Sequence, residues 1–155
     1  MGLPHKHILV IQTAFIGDAI LASSVLEKLH LFFPQAKISL LVRKGNESLY
    51  AEHPFLHQLL VWNKQEGKYK SLFSLLKIIR KQKFDTVINL HRFASSGFLT
   101  AFSKAPYTAG YDKNPFSFLF NVKARHKIGD GRHEVERYND LIEPITDKTS
   151  DHAVR

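Results

Sequence analysis

The chain has 155 residues, a length typical of one domain and large enough to bury a hydrophobic core. Hydrophobic residues make up 44% and charged residues 23%, a composition that excludes a wholly disordered protein. The net charge of +8 favours anionic partners such as phosphorylated substrates, nucleic acid or a membrane surface. Because cysteine is absent, disulfide bonds and thiolate metal sites are excluded.

The N-terminal segment lacks the pattern of a signal peptide, since the apolar run after His7 has only the length of a strand. No apolar run reaches the length needed to span a bilayer. We therefore expect a cytoplasmic protein.

Hydrophobic periodicity predicts alternating strands and helices. His7–Gln12 is a continuous apolar run, typical of a strand buried on both faces of a parallel sheet. From Asp18 the apolar residues recur about every four positions, which predicts an amphipathic helix that Pro34 ends. The next predicted elements are a strand, a short helix capped by Asn46, and a shorter third strand nearer the sheet edge: Lys37–Arg43, Asn46–His53 and Gln58–Trp62.

The alternation continues in the second half of the chain. Leucine and isoleucine at helical spacing predict a helix over Tyr69–Gln82, and we interpret its basic run Lys70–Lys83 as a solvated outer face. The following predictions are a fourth strand, a helix and a fifth strand: Phe84–Leu90, Ala94–Ser103 and Tyr107–Tyr111.

The last part of the sequence is less regular. Pro115–Val122 is rich in aromatic residues and fits a strand or a loop equally well. We expect its three phenylalanines to be core residues or a buried domain face: Phe116, Phe118 and Phe120. A final helix is predicted over His133–Ile145, and Thr146–Arg155 is a polar tail.

This order of elements predicts an α/β fold, a parallel sheet with helices on both faces joined by right-handed crossovers. In such sheets, ligands bind beyond the C-terminal ends of the strands. The segments expected at that edge are Thr13–Asp18, Arg43–Asn46, His91–Ser96 and Tyr111–Asn114.

Several common motifs are missing from the first turn. TAFIGD has one glycine where the dinucleotide fingerprint needs three, and it lacks the G-K-[ST] ending of a P-loop. No two histidines stand at a metal-ligand spacing with a carboxylate, since Pro54 separates His53 from His57. The sequence therefore predicts neither a bound cofactor nor a metal site.

Asp18, directly after Gly17, is the strongest candidate for chemistry. As a helix cap it would accept hydrogen bonds from backbone N–H groups, a contribution of about 0.5–2 kcal/mol. As a general base it would need desolvation or a tightly held hydroxyl, because those N–H groups and the positive helix end lower the pKa of a carboxylate. The residues alone leave both roles open.

Other polar residues at this edge are candidates for binding a substrate. Arg43, Lys44 and Arg92 could form a basic rim for phosphates or carboxylates, or could simply be solvated. His91 and Ser95 could contact a ligand, or serve as an ordinary strand end and helix start. Thr13 and Gly17, in the first turn, complete the set of candidate substrate-binding residues.

Taken in order, five segments resemble a known family: ILVIQTAFIGDAILASSVLEKL, KISLLVRKGN, FDTVINLHRFASS, AGYDKNPF and HEVERYNDL. They are similar to the N-terminal half of bacterial lipopolysaccharide heptosyltransferases (family 9 glycosyltransferases). The resemblance extends from about His7 to Leu141, and its most specific parts are Gly17–Asp18 and His133–Arg137.

The resemblance implies the GT-B architecture, in which two Rossmann-like domains face each other across a cleft. Residues 1–145 would then be the Rossmann-like acceptor-binding domain, and residues 146–155 a polar tail or the start of an interdomain linker. Asp18 would be the general base in the inverting transfer of heptose from ADP-heptose. Arg43, Lys44 and Arg92 would suit a phosphorylated Kdo–lipid A acceptor of the lipopolysaccharide inner core.

The 155 residues match only the first domain of this family. Whether they are a piece of a longer enzyme or a stand-alone relative, most of the ADP-sugar donor site would lie outside them. We therefore expect this chain alone to have little or no transferase activity, and its exposed interdomain face to favour self-association. Contact with the inner-membrane surface is compatible with a glycolipid acceptor. The alternative is a non-catalytic module that binds an anionic glycan or lipid headgroup. Nucleic-acid binding is not expected, because no recognition motif accompanies the charge.

Overall fold

A computed structural model of the protein describes residues 5–13, 22–50, 53–63, 65, 67–91, 93–124, 141–142 and 145. These residues form a six-stranded, all-parallel sheet with helices on both faces, so the predicted α/β, Rossmann-like fold is confirmed. The strand order is β3-β2-β1-β4-β5-β6. The strands are β1 (His7–Gln12), β2 (Lys37–Arg43), β3 (Leu56–Trp62), β4 (Thr86–Asn89), β5 (Tyr107–Tyr111) and β6 (Val122–Ala124). The helices are α1 (Ser23–Phe32), α2 (Lys68–Gln82) and α3 (Ala94–Ala101).

Strand β1 lies near the middle of the sheet and is buried on both faces, as its continuous apolar run predicts. Ile8 and Val10 belong to the core on one face, and Leu9 and Ile11 to the core on the other. All four side chains are fully buried. This alternation follows from the two-residue period of a strand, and it separates the hydrophobic core into two layers.

The helices cover these two layers. Helix α1 buries Val25 and Leu29 on one face, where Leu141 and Ile142 also pack. The opposite face is covered by α2 and α3, with Leu99 from α3 and a stripe from α2: Leu72, Leu75, Leu76 and Ile79. The three- and four-residue spacing of this stripe is what places it on one side of a helix. Among the described residues, no helix has both the length and the hydrophobicity to cross a bilayer.

Two sequence predictions need correction, and one open alternative is decided. The third strand is as long as the second, at seven residues, although its predicted place at the sheet edge is confirmed. Asn46 precedes a single 3-10 turn at Glu47–Leu49 rather than a helix that reaches His53. The aromatic segment, which fitted a strand or a loop, is a loop with a 3-10 turn at Ser117–Leu119, and a sixth strand follows it.

The predicted helices are confirmed only where the structure describes them. Residues 14–21 lie outside the described part, so the start of the first predicted helix is not described. Of the helix predicted over His133–Ile145, the described Leu141 and Ile142 are helical. Of the three phenylalanines expected to be buried, Phe120 is buried, Phe116 is half-buried and Phe118 is 71% exposed.

Candidate functional site

The candidate site lies at the C-terminal edge of β2, β1 and β4, three adjacent strands. Gln12 pairs with Val42, and Ile11 pairs with Asn89. Continuing this register, Arg43, Thr13 and His91 stand side by side across the edge. We call these three residues the polar row. The alternation of side chains assigns them to the face of the sheet that α2 and α3 cover.

Two members of the polar row are in direct contact. The Thr13 hydroxyl lies 3.0 Å from Nδ1 of His91, although the two residues are 78 positions apart in the sequence. Thr13 is buried, whereas His91 is half-buried. The hydroxyl donates to Nδ1 when the histidine proton is on Nε2.

The turn after β4 is held by two buried asparagines. Asn89 Oδ1 accepts a hydrogen bond from the backbone N–H of His91 at 2.9 Å. Asn114, which follows β5, donates from Nδ2 to the carbonyl of Phe93 at 2.9 Å, and its Oδ1 accepts from the N–H of Phe116. These bonds fix the backbone on both sides of His91, so its imidazole is held against Thr13. Phe93 supports the ring edge-on at 4.6 Å.

Asn89 has further hydrogen-bonding capacity. Its side chain is fully buried at the end of β4, and among the described residues no group accepts a hydrogen bond from its Nδ2. A buried amide donor of this kind is costly to leave unpaired. The sequence predicted this strand end to be functional, but it gave no sign that the asparagine is completely buried.

The basic rim after β2 is a tight turn. The N–H of Lys44 donates to the Trp62 carbonyl at 2.9 Å, and the N–H of Asn46 donates to the Arg43 carbonyl at 3.1 Å. Gly45 occupies the centre of the turn at φ +109°, a conformation that favours glycine. Arg43 is half-buried and Lys44 is exposed, so both cations are accessible at this edge.

A carboxylate that the sequence analysis overlooked accompanies this rim. Glu47 accepts a hydrogen bond from the N–H of Gly45. Hydrogen bonds from its own backbone N–H and from that of Gly45 lower the pKa of Glu47, and nearby Lys44 lowers it further. Glu47 therefore stays ionised and offsets part of the positive charge. Its position two residues after a glycine turn was the available signal.

The remaining predicted residues have different outcomes. Ser95 is half-buried in the first turn of α3, four residues after His91. Asp18, Gly17 and Arg92 lie outside the described residues. In the described part of the chain, no cluster of three or more His, Asp or Glu side chains could hold a metal ion. The described edge thus offers hydroxyl, imidazole and cationic groups, which suit a ligand that carries hydroxyls and negative charge.

Comparison with known proteins identifies relatives of this chain. The sequence pattern of glycosyltransferase family 9 (heptosyltransferase) matches residues 72–154. Lipopolysaccharide heptosyltransferase 3 of Escherichia coli K12 is 35% identical over 78 residues, which are 48% of this chain and 23% of that protein. Lipopolysaccharide core heptosyltransferase OpsX of Haemophilus influenzae is 24% identical over 106 residues, 68% of this chain and 30% of that protein.

Solved structures share the same fold. A family 9 glycosyltransferase from Veillonella parvula superposes with a TM-score of 0.84 at 26% identity, over 95% of this chain and 43% of that chain. The E. coli heptosyltransferase WaaC, solved with ADP, gives a TM-score of 0.72 at 18% identity, over 89% of this chain and 46% of that chain, which shows the fold alone.

This chain spans about a quarter to a third of the curated relatives and less than half of these structures. The family pattern covers more than half of this chain, and the relatives carry the family's name, so the resemblance noted in the sequence is confirmed. On this evidence, the protein belongs to glycosyltransferase family 9, the heptosyltransferases.

Proposed function

We propose that this chain is the acceptor-binding half of a heptosyltransferase. The enzyme would transfer heptose from ADP-heptose to a hydroxyl of a lipopolysaccharide inner-core acceptor, with inversion at the anomeric carbon. The observation that carries the proposal is the contact between Thr13 and His91 in the polar row, beside the basic turn after β2. Thr13 stands five residues before Asp18 in the sequence, and the chain belongs to family 9.

The proposed reaction is a single displacement with Asp18 as the general base. The acceptor oxygen forms a bond to the anomeric carbon while the bond from that carbon to the ADP oxygen breaks. ADP leaves with the bonding electron pair, and the proton of the acceptor hydroxyl passes to the Asp18 carboxylate. Because attack and departure occur on opposite sides of the carbon, the configuration inverts. A positioned base of this kind contributes about 100- to 10,000-fold to the rate.

The other residues at the edge would hold the acceptor. Arg43, in the polar row, and the adjacent Lys44 are accessible cations, and phosphates on the acceptor would form charge-assisted hydrogen bonds with them. Arg92 follows His91 directly in the sequence and is proposed for the same role. Thr13, Gly17, His91 and Ser95 are proposed to orient the acceptor hydroxyls.

The donor is proposed from the relatives. One solved structure is of the E. coli enzyme WaaC with ADP-2-deoxy-2-fluoro heptose, to which this chain is similar in fold. We propose ADP-heptose as the donor here, bound mainly by a second domain, and a cytoplasmic location for the protein.

A non-catalytic role is the alternative, and the observation that favours it is the pair of accessible cations after β2, Arg43 and Lys44. In that case the basic edge alone would hold an anionic glycan or lipid headgroup. Binding would weaken with salt because exposed charges are screened. It would not depend on Asp18, which separates this role from the catalytic one.

The test is Asp18→Asn in a two-domain protein that joins this chain to a family 9 donor-binding domain. We expect transfer of radiolabelled heptose to fall about 100- to 10,000-fold, with unchanged circular dichroism and acceptor affinity. Glu27→Gln, on the exposed face of α1, is the control and should retain full activity. Full activity of Asp18→Asn would refute the catalytic role.

The 155-residue chain belongs in the same assay. Without the donor-binding domain we expect little or no transfer, while acceptor binding persists and weakens with salt. Turnover comparable to that of the two-domain protein would contradict the assignment of the donor site to a second domain.

A further inference from the structure

Four phenylalanine rings lie together on the outer side of the α2–α3 layer. Phe73 of α2 meets Phe98 of α3 edge-on at 5.5 Å. Phe98 contacts Phe102 at 5.2 Å, and Phe116 lies about 6 Å from both, at 6.1 and 6.0 Å. We call Phe73, Phe98, Phe102 and Phe116 the aromatic surface. Its members come from two helices and a loop, so only the fold brings them together.

Phe98 packs against the core, but Phe73 and Phe102 lie outside it. The side of α2 that faces the sheet is already filled by leucine and isoleucine, and Phe73 lies outside that stripe with 54% of its surface exposed. Phe102 is 37% exposed. In the turn that follows Phe116, Phe118 and Leu119 are exposed as well, at 71% and 44%. Adjacent exposed apolar side chains of this kind mark an interaction site.

Cations are interleaved with the rings. Lys77 lies one turn after Phe73 on α2, and Arg80 follows on the same side of the helix. Arg80 Nε donates to the carbonyl of Phe102 at 2.6 Å, which holds the guanidinium against the aromatic surface. Lys104 is exposed two residues after Phe102.

Acidic residues are scarce in this part of the chain. Residues 68–124 contain ten Lys or Arg and only two Asp or Glu. Of these two, Asp85 lies at the N-terminal edge of the sheet, where it accepts hydrogen bonds from the N–H groups of Lys6 and His7. Asp112 is exposed four residues before Phe116 and offsets part of the positive charge there. The exposed cations next to members of the aromatic surface, Lys77, Arg80 and Lys104, outnumber it and leave the surroundings of this surface positive.

This combination favours a lipid bilayer over another protein as the occupant. The cores of protein–protein interfaces are depleted of charge, and of lysine in particular. Anionic lipid surfaces instead attract clustered Lys and Arg, while aromatic rings insert at the level of the headgroups. Most of the aromatic surface lies on α2 and at the end of α3, and Phe116 alone of its members comes from the loop after β5.

We propose that the aromatic surface binds the surface of an anionic phospholipid bilayer. Phe73 and Phe102 enter the headgroup region, and Lys77, Arg80 and Lys104 contact lipid phosphates. This inference goes beyond the proposed reaction and needs neither a donor nor an acceptor, so it can fail or hold independently of the assignment of Asp18.

The test is co-sedimentation of the 155-residue chain with vesicles of phosphatidylglycerol and phosphatidylcholine, compared with phosphatidylcholine alone. We expect binding only to the anionic vesicles, weakened by added salt. Phe73→Ser should reduce the partition coefficient about tenfold, and Lys77→Glu about tenfold or more. Circular dichroism and thermal unfolding check that both variants remain folded.

Two variants serve as matched controls. Leu31→Ser changes a side chain that is 58% exposed, on α1 at the other face of the sheet. Lys37→Glu reverses an exposed charge at the start of β2. Both should bind vesicles as the parent chain does. An equal loss in controls and test variants would overturn the proposal, because net charge alone would then explain the binding.

Two further results would also overturn it. One is the absence of binding to anionic vesicles at low salt. The other is a dimer in gel filtration that Phe73→Ser dissociates, since a second copy of the chain would then cover the aromatic surface. The two proposals can be told apart. If the 155-residue chain binds anionic vesicles but Asp18→Asn leaves the activity of the two-domain protein unchanged, membrane binding is supported and the catalytic role of Asp18 is refuted.

Discussion

Gly97 and Asn114 show how a single position controls the backbone around the candidate site. Gly97 lies in α3 where an added Cβ would overlap the side-chain amide of Asn114. That amide cannot move freely, because it is buried and bonded to the carbonyl of Phe93 and the N–H of Phe116. The absence of a side chain at position 97 therefore lets Asn114 hold the turn after His91.

At this scale we predict that Gly97→Ala destabilises the protein by about 1–3 kcal/mol, the usual cost of overpacking a buried site. The measurement is the free energy of unfolding in urea. Ser95→Ala, at a half-buried position of the same helix, is the control and should change it by less than about 0.5 kcal/mol. A Gly97→Ala variant as stable as the parent would show that Asn114 is not constrained as described.

The sequence alone does not distinguish the two roles proposed for Asp18. A carboxylate after a glycine at a strand-to-helix turn is compatible with a cap and with a base, because both roles place an oxygen at the same helix end. Family membership favours the base, and the two-domain activity assay decides between the two. The contact between Thr13 and His91 is revealed only by the tertiary structure, because no local sequence pattern indicates it.

At the scale of elements, α2 ends at a non-glycine residue in the left-handed conformation. Lys83 adopts a left-handed conformation at φ +56°, and its N–H bonds to the carbonyl of Arg80 at 3.2 Å. Helices commonly end at a residue in the left-handed conformation. Glycine adopts this conformation without the steric cost that a Cβ atom imposes on other residues. This position therefore allows a test of where α2 stops.

We predict that Lys83→Gly stabilises the protein by about 0.5–1 kcal/mol. Lys81→Gly, two residues earlier and still helical, should destabilise it by about 1 kcal/mol, because glycine is a poor helix former. Both side chains are exposed, so the pair differs in backbone conformation only. Thermal unfolding gives the signs, and a shared sign would place the end of α2 elsewhere.

The elements found by periodicity were those with strong local patterns. The bounds of β1, β2 and β5 are as the sequence predicts. For β1 and β2 the reason is a compact apolar run with polar residues at its ends. Strand β6 has three residues, too few for a period to be detected, and it exists because β5 offers an edge to pair with. The Phe120 ring packs directly on Gly110 of β5, where an added Cβ would overlap it.

At the scale of the whole molecule, one buried and two half-buried histidines make the free energy of unfolding depend on pH. Burial lowers the pKa of His5, His7 and His53 below 6.5, their ordinary value; the charge of His57 adds to the effect at His7, whereas Asp85 opposes it at His5 and His7. The unfolded chain then binds protons more readily than the folded one. Above about pH 6.5 these histidines are mostly neutral in the folded and the unfolded chain, so they do not change the free energy of unfolding. As the pH falls below that value, they lower the free energy of unfolding increasingly.

We predict that the free energy of unfolding declines between pH 7.5 and pH 5. His7→Phe should make this decline shallower, because the new ring cannot take up a proton and can keep the 4.3 Å packing against Phe84. Urea titrations of both proteins at several pH values provide the comparison. Identical pH profiles would mean that protonation of His7 does not couple to folding.

The sequence by itself determined what depends on neighbours along the chain. Apolar runs and helical stripes located most strands and helices, and the order of motifs from His7 onward indicated the family. The tertiary structure alone decided which distant residues meet. The register of parallel strands aligned Arg43, Thr13 and His91, and the packing of α2 against α3 assembled the aromatic surface. The physical reason is that parallel strands pair through long crossovers, so the contacts that form a site carry no trace in the local pattern.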